Sequence, residues 1–316
     1  MGMYCFGIDV GGTTVKCGLF TTDGTLVEKW EIPTRTENEG SSILPDVAQT
    51  IKQKIEEMGL DMANIDGVGI GIPGPVNEKG EVPVAVNLHW SFKAVASELA
   101  ALTGLPAKAG NDANVAALGE AWKGAAAGSR SVLMLTLGTG VGGGVIVDGK
   151  IVSGAHGSAG EVGHAHVNRE ETIACNCGNF GCLEQYCSAT GIARLARERV
   201  KDYAGETVLK QFYEDGTLDA KAVFDAYKDE DPAAIEIVEK AADILGNAVA
   251  VFCAVLDPET IVIGGGVSRA GKVLTDIIQK AYVKYAFTPC KTTPIVIASL
   301  GNNAGIYGAA RMVLND

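Results

Sequence analysis

A coarse internal repeat constrains the fold of this chain more than any other feature of its sequence. A strand, a glycine turn with threonine, a second strand and an Asp-Gly hairpin occur at residues 4–27 and again at residues 132–152. Two similar βββ units in one chain predict two lobes of related fold with a cleft between them. The 316 residues are enough for two domains, each with its own hydrophobic core.

The remaining pattern predicts an α/β protein. Helices are expected at residues 44–58, 92–103 and 111–122, and residues 185–309 are mostly helical apart from two buried strands. A short strand and a loop containing Asn87 are expected at residues 82–90. We expect a smaller lobe at residues 1–115, joined by a C-terminal helix at about 304–316, and a larger lobe at residues 116–303.

Composition excludes several classes of partner. The formal net charge of -12 opposes binding to nucleic acid or to an anionic membrane. Eight cysteines without a framework-like spacing indicate reduced thiols and a cytoplasmic protein. The chain opens with no secretory signal pattern, and no apolar run reaches about 18 residues, so we expect no membrane span.

Three cysteines lie close together as C-x-C-x4-C, with two glycines between the last two. Three thiolates and one imidazole form the closed tetrahedral ligand set of a structural zinc site. The imidazole is expected from His164, and the thiolates are Cys175, Cys177 and Cys182. The alternative is a group of buried or disulfide-bonded cysteines around a loop.

Two glycine turns, at residues 11–14 and 138–144, connect strand to strand. The second formally matches the dinucleotide fingerprint G-x-G-x-x-G, but that motif requires a helix directly after the turn, and a strand follows here. The backbone amides and threonine hydroxyls of such hairpins can approach an anion without interference from a Cβ atom. The alternative is a pair of plain tight hairpins.

Asp9 ends a buried strand beside the first glycine turn, where a carboxylate can hold Mg²⁺, partly through water. Its alternative role is to cap the turn. Lys16 is either a solvated strand lysine or a phosphate contact.

Asp112 is the candidate catalytic base. It lies where a strand meets a helix start, and the helix dipole there favours the ionised carboxylate, which can accept a hydroxyl proton during attack on phosphorus. The alternative is a helix N-cap, but Asn111, Asp112 and Asn114 together exceed what one cap requires.

Glu161, His164 and Glu184 are suited to bind the hydroxyl groups of a polyol. A different interpretation is a hydrolytic metal held by His156, His164 and His166 with Glu161 as base. No H-E-x-x-H sequence supports it, and the cysteines compete for the ion.

The motifs together resemble a known family. Residues 8–13 (IDVGGT) resemble the first phosphate loop of the actin-like sugar kinases, residues 137–142 (LGTGVG) their second, and residues 263–267 (IGGGV) their adenosine loop. Residues 160–164 (GEVGH) and 175–184 (CNCGNFGCLE) are similar to the mark of the ROK family of repressors and sugar kinases.

This resemblance implies two ribonuclease-H-like lobes around a central cleft, a zinc-stabilised loop in the larger lobe, and transfer of the ATP γ-phosphate to a hexose. In that pattern Asp112 is the base, and zinc is held by His164 and the three cysteines. Sugar hydroxyls are bound by Asn87, Asn111, Asp112, Glu161, His164 and Glu184. ATP and Mg²⁺ are bound by Asp9, Gly11, Gly12, Thr13, Thr14, Gly138, Thr139, Gly140, Gly265 and Gly266. Homodimers are common in the family.

The same family contains sugar-responsive repressors, which resemble this chain preceded by a DNA-binding domain. Here the first strand begins at about residue 3 and the charge is acidic, so a kinase is expected. The 177–184 run and the sequence SATG at 188–191 are most similar to members that phosphorylate glucose. N-acetylmannosamine, N-acetylglucosamine, fructose and allose kinases share much of that pocket, so the sequence leaves the sugar open.

Overall fold

The computed structural model describes residues 3–314, which form two compact units. The first comprises the described residues of 1–130, 144–160 and 299–316, and the second comprises residues 131–143 and 161–298. The first unit extends beyond residue 115, where the sequence suggested a boundary, because helix α4 (Asp112–Lys123) packs on helix α11 (Ala304–Val313). A Cβ atom on Gly308 would lie 1.7 Å from the carbonyl oxygen of Val115, so glycine permits this close packing.

The first unit contains one five-stranded sheet with the order β3-β2-β1-β4-β5. Strands β1 and β2 are antiparallel, whereas β4 and β5 run parallel to β1. Besides α4 and α11, its elements are β1 (Tyr4–Val10), β2 (Thr14–Thr21), β3 (Leu26–Pro33), α1 (Glu37–Gly40), α2 (Ile43–Glu57), β4 (Ile65–Ile72), α3 (Val95–Thr103), β5 (Ala107–Asn111) and β8 (Lys150–Ile151).

Apolar side chains of this sheet pack against α2 in a core that includes Phe6, Ile8, Ile70, Val47 and Ile51, all fully buried. Helix α11 lies on β1 and β4. Two sheet glycines make that contact possible, because a Cβ atom on Gly7 or Gly69 would lie 2.0 Å or less from a carbonyl oxygen of α11.

The second sheet has the order β10-β9-β6-β7-β8. Read from β8, this order repeats that of the first sheet, with β6 in the place of β1, and β9 and β10 again run parallel to it. The predicted α/β class and the ribonuclease-H-like repeat are therefore confirmed. The further elements are β6 (Val132–Leu137), β7 (Val141–Val147), α5 (Glu184–Cys187), α6 (Ala189–Lys201), α7 (Leu209–Glu214), α8 (Ala220–Lys228), α9 (Pro232–Leu256), β9 (Thr260–Gly264), α10 (Lys272–Tyr285) and β10 (Ile295–Ile297).

Two local predictions were wrong. Residues 82–90 form isolated bridges at Val82 and Ala85 and a 3₁₀ helix at Val86–Leu88, with no regular strand. Strand β7 begins at Val141, so the glycines at 142–144 belong to the strand and not to the turn. In the first unit, a Cβ atom on Gly144 would lie 2.6 Å from the Cβ atom of Ala117, so close helix packing explains that glycine.

All eight cysteines are free in this structure. Within residues 3–314, no helix combines the length and the apolar character needed to cross a membrane.

Candidate active site

The first glycine turn is held from both sides. The Gly11 amide donates to the carbonyl oxygen of Thr14 at 3.0 Å, which closes the turn between β1 and β2. Thr34 then binds the turn twice, since its hydroxyl donates to Gly11 (2.7 Å) and its amide donates to Thr13 (2.9 Å). The turn therefore has a fixed shape, and sequence reasoning missed Thr34 because it follows a different strand.

Asp9 is the penultimate residue of β1, close to this turn, and its carboxylate lies beside one positively charged group. Burial raises its pKa above the usual value, and the Lys16 ammonium, 3.7 Å from Oδ2, opposes that rise. The carboxylate also lies against the start of α11, where a Cβ atom on Gly305 would be 2.5 Å from its Cγ. Lys16 is thus an ion-pair partner of Asp9 in this structure.

Asp9 and Asn111 share one edge of the first sheet. Asp9 lies opposite Gly71 of β4, and Asn111 of β5 lies opposite Ile72. The carboxyl ends of these parallel strands therefore meet at one edge, where α/β proteins generally bind ligands.

A predicted site residue, Asn111, caps the start of α4. The Asn111 side chain caps the helix by accepting from the amides of Ala113 (3.0 Å) and Asn114 (3.1 Å), and its Nδ2 donates to Gly74 at 3.0 Å. Asp112 is the first helical residue and is half-buried, and its Oδ1 accepts from the Ala113 amide at 2.8 Å. Because Asn111 supplies the cap, the Asp112 carboxylate is not required for that purpose.

The two other asparagines that the sequence singled out, Asn87 and Asn114, differ in exposure. Asn87 is exposed in the 3₁₀ helix. Asn114 is 3% exposed, accepts from the Val145 amide at 3.3 Å and donates to Ala159, so its role is structural.

In the second unit, the second glycine turn is held by the residues that follow the cysteine loop. The Gly138 amide donates to Gly140 at 2.9 Å. The Ala189 amide donates to the carbonyl oxygen of Gly138 at 2.8 Å, and the Thr190 hydroxyl donates to that of Thr139 at 2.6 Å. Residues 188–191, which the sequence marked only by resemblance, therefore position this turn.

Glu184 joins the turn to the cysteine loop. Its Oε2 accepts from the Val141 amide at 2.9 Å, and a Cβ atom on Gly140 would lie 2.0 Å from the same oxygen. Glycine at position 140 is therefore required by the approach of the carboxylate.

The predicted metal ligands come together in the second unit. One donor atom from each of His164, Cys175, Cys177 and Cys182 lies within 4.8 Å of the other three. The sulfurs of Cys177 and Cys182 are 3.7 Å apart, close to the separation of about 3.8 Å that tetrahedral zinc with Zn–S bonds of about 2.3 Å would impose. This donor set could hold a metal ion.

Backbone geometry shapes the loop around these donors. Gly178 and Gly181 have φ values of 88° and 69°, which glycine adopts without strain. Burial, together with the neighbouring thiols, raises the pKa of Cys182 to about 12, whereas the Asn179 amide lowers the pKa of Cys177. A bound cation would favour both thiolates.

The three histidines of this region, His156, His164 and His166, differ in their contacts. His164 directs Nδ1 towards the sulfur of Cys175 (4.0 Å). His166 uses Nδ1 for the carbonyl oxygen of Phe180 at 2.8 Å, and neither it nor His156 belongs to the metal cluster. The alternative of a three-histidine hydrolytic site is therefore wrong. Glu161 is exposed beside His164 at the start of the same 3₁₀ helix.

A polar network that sequence reasoning missed stabilises the loop. Glu171 is bound by the hydroxyl of Tyr186 and by the guanidinium of Arg194 at 2.9 Å. The hydrogen bond from Tyr186 is the main cause that lowers the pKa of Glu171 to about 2. The guanidinium also lies 5.0 Å from the centre of the Tyr186 ring.

Three glycines have no structural reason to be glycine. Gly12, Gly138 and Gly266 each have no atom within 4 Å of an added Cβ, and none has a positive φ. Among the glycines whose surroundings the structure describes, these are the only ones that combine both properties. Each lies in one of the three predicted nucleotide loops. By contrast, Gly265 has a φ of 82° and lies against Leu137, so the fold itself requires it.

A cavity of about 600 Å³ lies beside two of these loops in the second unit. Thr139 and Gly266 line it, together with the aromatic ring of Phe224 and the cationic side chains of Arg197 and Arg269. Its volume is within the range of cofactor pockets.

The fold and this arrangement define the class of actin-like ATPase proteins. Two solved structures of that fold are similar to the chain. One is the ROK hexokinase of Thermus thermophilus, with a TM-score of 0.80 and 31% identity over 98% of this chain and 97% of that one. The other is a ROK glucokinase of Streptomyces griseus in complex with glucose and AMPPNP, with a TM-score of 0.74 and 31% identity over 98% of each chain.

The ROK family model matches residues 5–316. The chain is also 42% identical to the glucokinase of Halalkalibacterium halodurans over 309 residues, covering 97% of this chain and 94% of that protein. The chain belongs to the ROK family.

Proposed function

We propose that this protein transfers the γ-phosphoryl group of ATP to the 6-hydroxyl of glucose, giving glucose 6-phosphate and ADP. The observation that carries the proposal is the set of three open glycines, Gly12, Gly138 and Gly266. A glycine that neither the backbone conformation nor the packing requires is expected where a ligand approaches the backbone closely. The similarity to glucokinases supports glucose as the acceptor.

ATP is the donor in this proposal. Amides of the two glycine turns would bind its phosphates. The cavity beside Gly266 would take the adenosine, with Phe224 offering an apolar surface. Thr34 and Thr190 would keep the turns in shape before the nucleotide arrives.

Asp112 is the proposed general base. An ionised carboxylate at a helix start can accept the proton of the 6-hydroxyl while that oxygen attacks phosphorus. Asn87, Asn111, Glu161, His164 and Glu184 are proposed to bind the sugar hydroxyls. One N–H of Asn111 stays available for this purpose, since its other groups fix the helix cap and Gly74.

Mg²⁺ would be held near Asp9, whose half-buried carboxylate has Lys16 as a charged partner at 3.7 Å. When bound, the ion neutralises phosphate charge. Zinc would be held by His164 and the three cysteines in a structural role, because four protein donors leave no open position for substrate.

We also propose a homodimer in the cytoplasm. Val251, Val255 and Phe287 of the second unit are 58%, 80% and 66% exposed, and such apolar exposure fits a surface that a second copy covers. The free thiols and the proposed zinc thiolates fit a reducing compartment.

The function is tested by coupled ADP release with Mg-ATP over a panel of hexoses. A strong preference for glucose over N-acetylmannosamine, N-acetylglucosamine, fructose, allose and mannose is expected. Preference for an N-acetylated sugar would refute glucose while retaining a sugar kinase. Absence of turnover with every sugar would refute the kinase itself.

A further inference from the structure

A second cavity, of about 420 Å³, lies wholly within the first unit. None of its lining residues belongs to the set proposed for sugar, ATP or metal. Four of them carry positive charge, namely Lys79, Lys108, Lys150 and Arg311, and one, Glu78, carries negative charge.

The net charge of this lining is opposite in sign to the net charge of the chain. The lining sums to about +3, from four cations and one anion, whereas the whole chain has a net charge of -12. A concave surface with charges of one sign focuses the electrostatic potential and raises the local concentration of opposite ions.

Within residues 3–314, three of the four cations have no partner that neutralises them. The side chains of Lys79, Lys108 and Lys150 make no hydrogen bond or ion pair with the part of the chain that the structure describes. Many other lysines do pair, as Lys54 does with Glu28 and Glu57. Arg311 is anchored at the end of α11, where it donates to the Leu314 carbonyl at 3.3 Å.

The cations come from four separate parts of the chain on a rigid frame. Lys108 lies on β5, the edge strand, and Lys150 lies on β8 directly after the Asp-Gly turn. Lys79 lies in a turn fixed by Asn77, whose Oδ1 accepts from the amides of Lys79 and Glu81 at 3.0 Å. Apolar residues complete the walls: Ala96, Ala107, Ala109, Leu118, Ile151 and Met312.

A simpler role exists for two of these lysines, since charged residues on an edge strand prevent unwanted strand pairing. That role accounts for Lys108 on β5 and Lys150 on β8, each at the edge of its sheet, but not for Lys79, which lies in a turn. It also gives no reason for four cations to line the same cavity.

We propose that this cavity binds a small phosphorylated metabolite, with its phosphoryl group between the lysines and its remaining atoms against the apolar wall. A lysine ammonium group binds a phosphoryl group as a point charge and does not require the two parallel hydrogen bonds that arginine forms. The volume of about 420 Å³ is within the range of small-molecule pockets and accommodates a small organic anion. The site is separate from the proposed reaction.

The test is calorimetric titration of the full chain with inorganic pyrophosphate at constant ionic strength. The double variant Lys108→Gln/Lys150→Gln is expected to bind pyrophosphate at least about 10-fold more weakly than the wild type. The matched control is Lys52→Gln/Lys201→Gln, which removes the same charge from exposed sites elsewhere and should bind as the wild type does. The cavity variant should keep its turnover and melting temperature, because both side chains are exposed and outside the proposed active site.

Equal pyrophosphate affinity in the cavity variant and the wild type would overturn the proposal, as would the absence of binding to the wild type. Titration with citrate is a second test, because citrate is an anion without a phosphoryl group. Cavity-dependent binding of citrate without binding of pyrophosphate would overturn the phosphoryl assignment. Because binding is measured without turnover, this result is independent of whether glucose is the substrate.

Discussion

The Oε2 atom of Glu184 lies 2.9 Å from the backbone nitrogen of Val141, and this hydrogen bond ties the cysteine loop to the second glycine turn. The other carboxylate oxygen lies 3.9 Å from the sulfur of Cys175. A single side chain thus contacts both a cysteine of the proposed zinc site and the turn proposed to bind phosphate. The conformation of the cysteine loop therefore influences the shape of the second glycine turn.

Replacing Glu184 with alanine should raise the KM for ATP at saturating glucose by about 10-fold or more, because the Val141 amide loses a charged acceptor. Glu184→Gln keeps an acceptor oxygen and should show a smaller change. Steady-state kinetics with varied ATP measures both. An unchanged KM for ATP in Glu184→Ala would show that this contact does not shape the turn.

The open glycines give a prediction that separates binding from folding. Gly12→Ala and Gly138→Ala should each raise the KM for ATP by about 10-fold or more, because the methyl group occupies ligand space. Their melting temperatures should stay the same or rise, since an added Cβ meets no protein atom within 4 Å.

The matched control is Gly59→Ala. Gly59 is equally open but has a φ of 61°, so alanine should lower the stability and leave the KM for ATP unchanged. If the Gly12 and Gly138 variants lost stability and kept their KM, these glycines would have a structural role instead.

Cys177→Ser should remove bound zinc and lower the melting temperature, because zinc binding and folding of the loop are coupled. Cys177 is exposed, so the substitution itself does not disturb a core. Elemental analysis of the purified protein should find about one zinc per wild-type chain and much less in the variant. Cys253→Ala, outside the cluster, should keep its zinc. A wild-type protein without zinc would contradict the assignment.

Locally encoded features could be predicted from the sequence. The glycine turn at residues 11–14 and the donor set from His164 to Cys182 are each contained in one short segment, so spacing and residue type were sufficient. The start of strand β7 could not be predicted, as the glycines at 142–144 show. Glycine is typical of turns, but it also permits close packing within a strand.

Contacts between distant segments could not be predicted. Glu184 and Val141 are 43 residues apart, and Thr34 reaches Gly11 from 23 residues away. Asp9 meets the helix at Gly305 only because α11 returns to the first sheet. Nothing in the local sequence of either partner specifies such pairs, since they depend on the packing of whole elements.

Asp243 gives a pH-dependent prediction away from the metal cluster. The hydroxyl of Tyr285 and the ammonium of Lys284 bind its carboxylate and hold its pKa below the usual value of 3.8. A lowered pKa means that the contribution to stability is complete above about pH 4 and is lost as the pH falls further. Asp243→Asn should therefore lower the free energy of unfolding at pH 7 by up to about 1 kcal/mol.

Urea unfolding at several pH values measures this effect. The difference between the wild type and Asp243→Asn should be constant from pH 7 to about pH 4 and should shrink below that. Tyr285→Phe removes only the hydroxyl and should lose part of the same contribution. A difference that grows on acidification would contradict the sign.

The kcat for glucose and Mg-ATP in Asp112→Asn shows whether Asp112 is the base in the proposed phosphorylation of glucose. The side-chain oxygen of asparagine can still accept from the Ala113 amide, so the helix start and the KM for glucose should be nearly unchanged. The kcat should fall by about 10²–10⁴-fold, the usual contribution of a general base. A kcat equal to that of the wild type would exclude Asp112 from the mechanism.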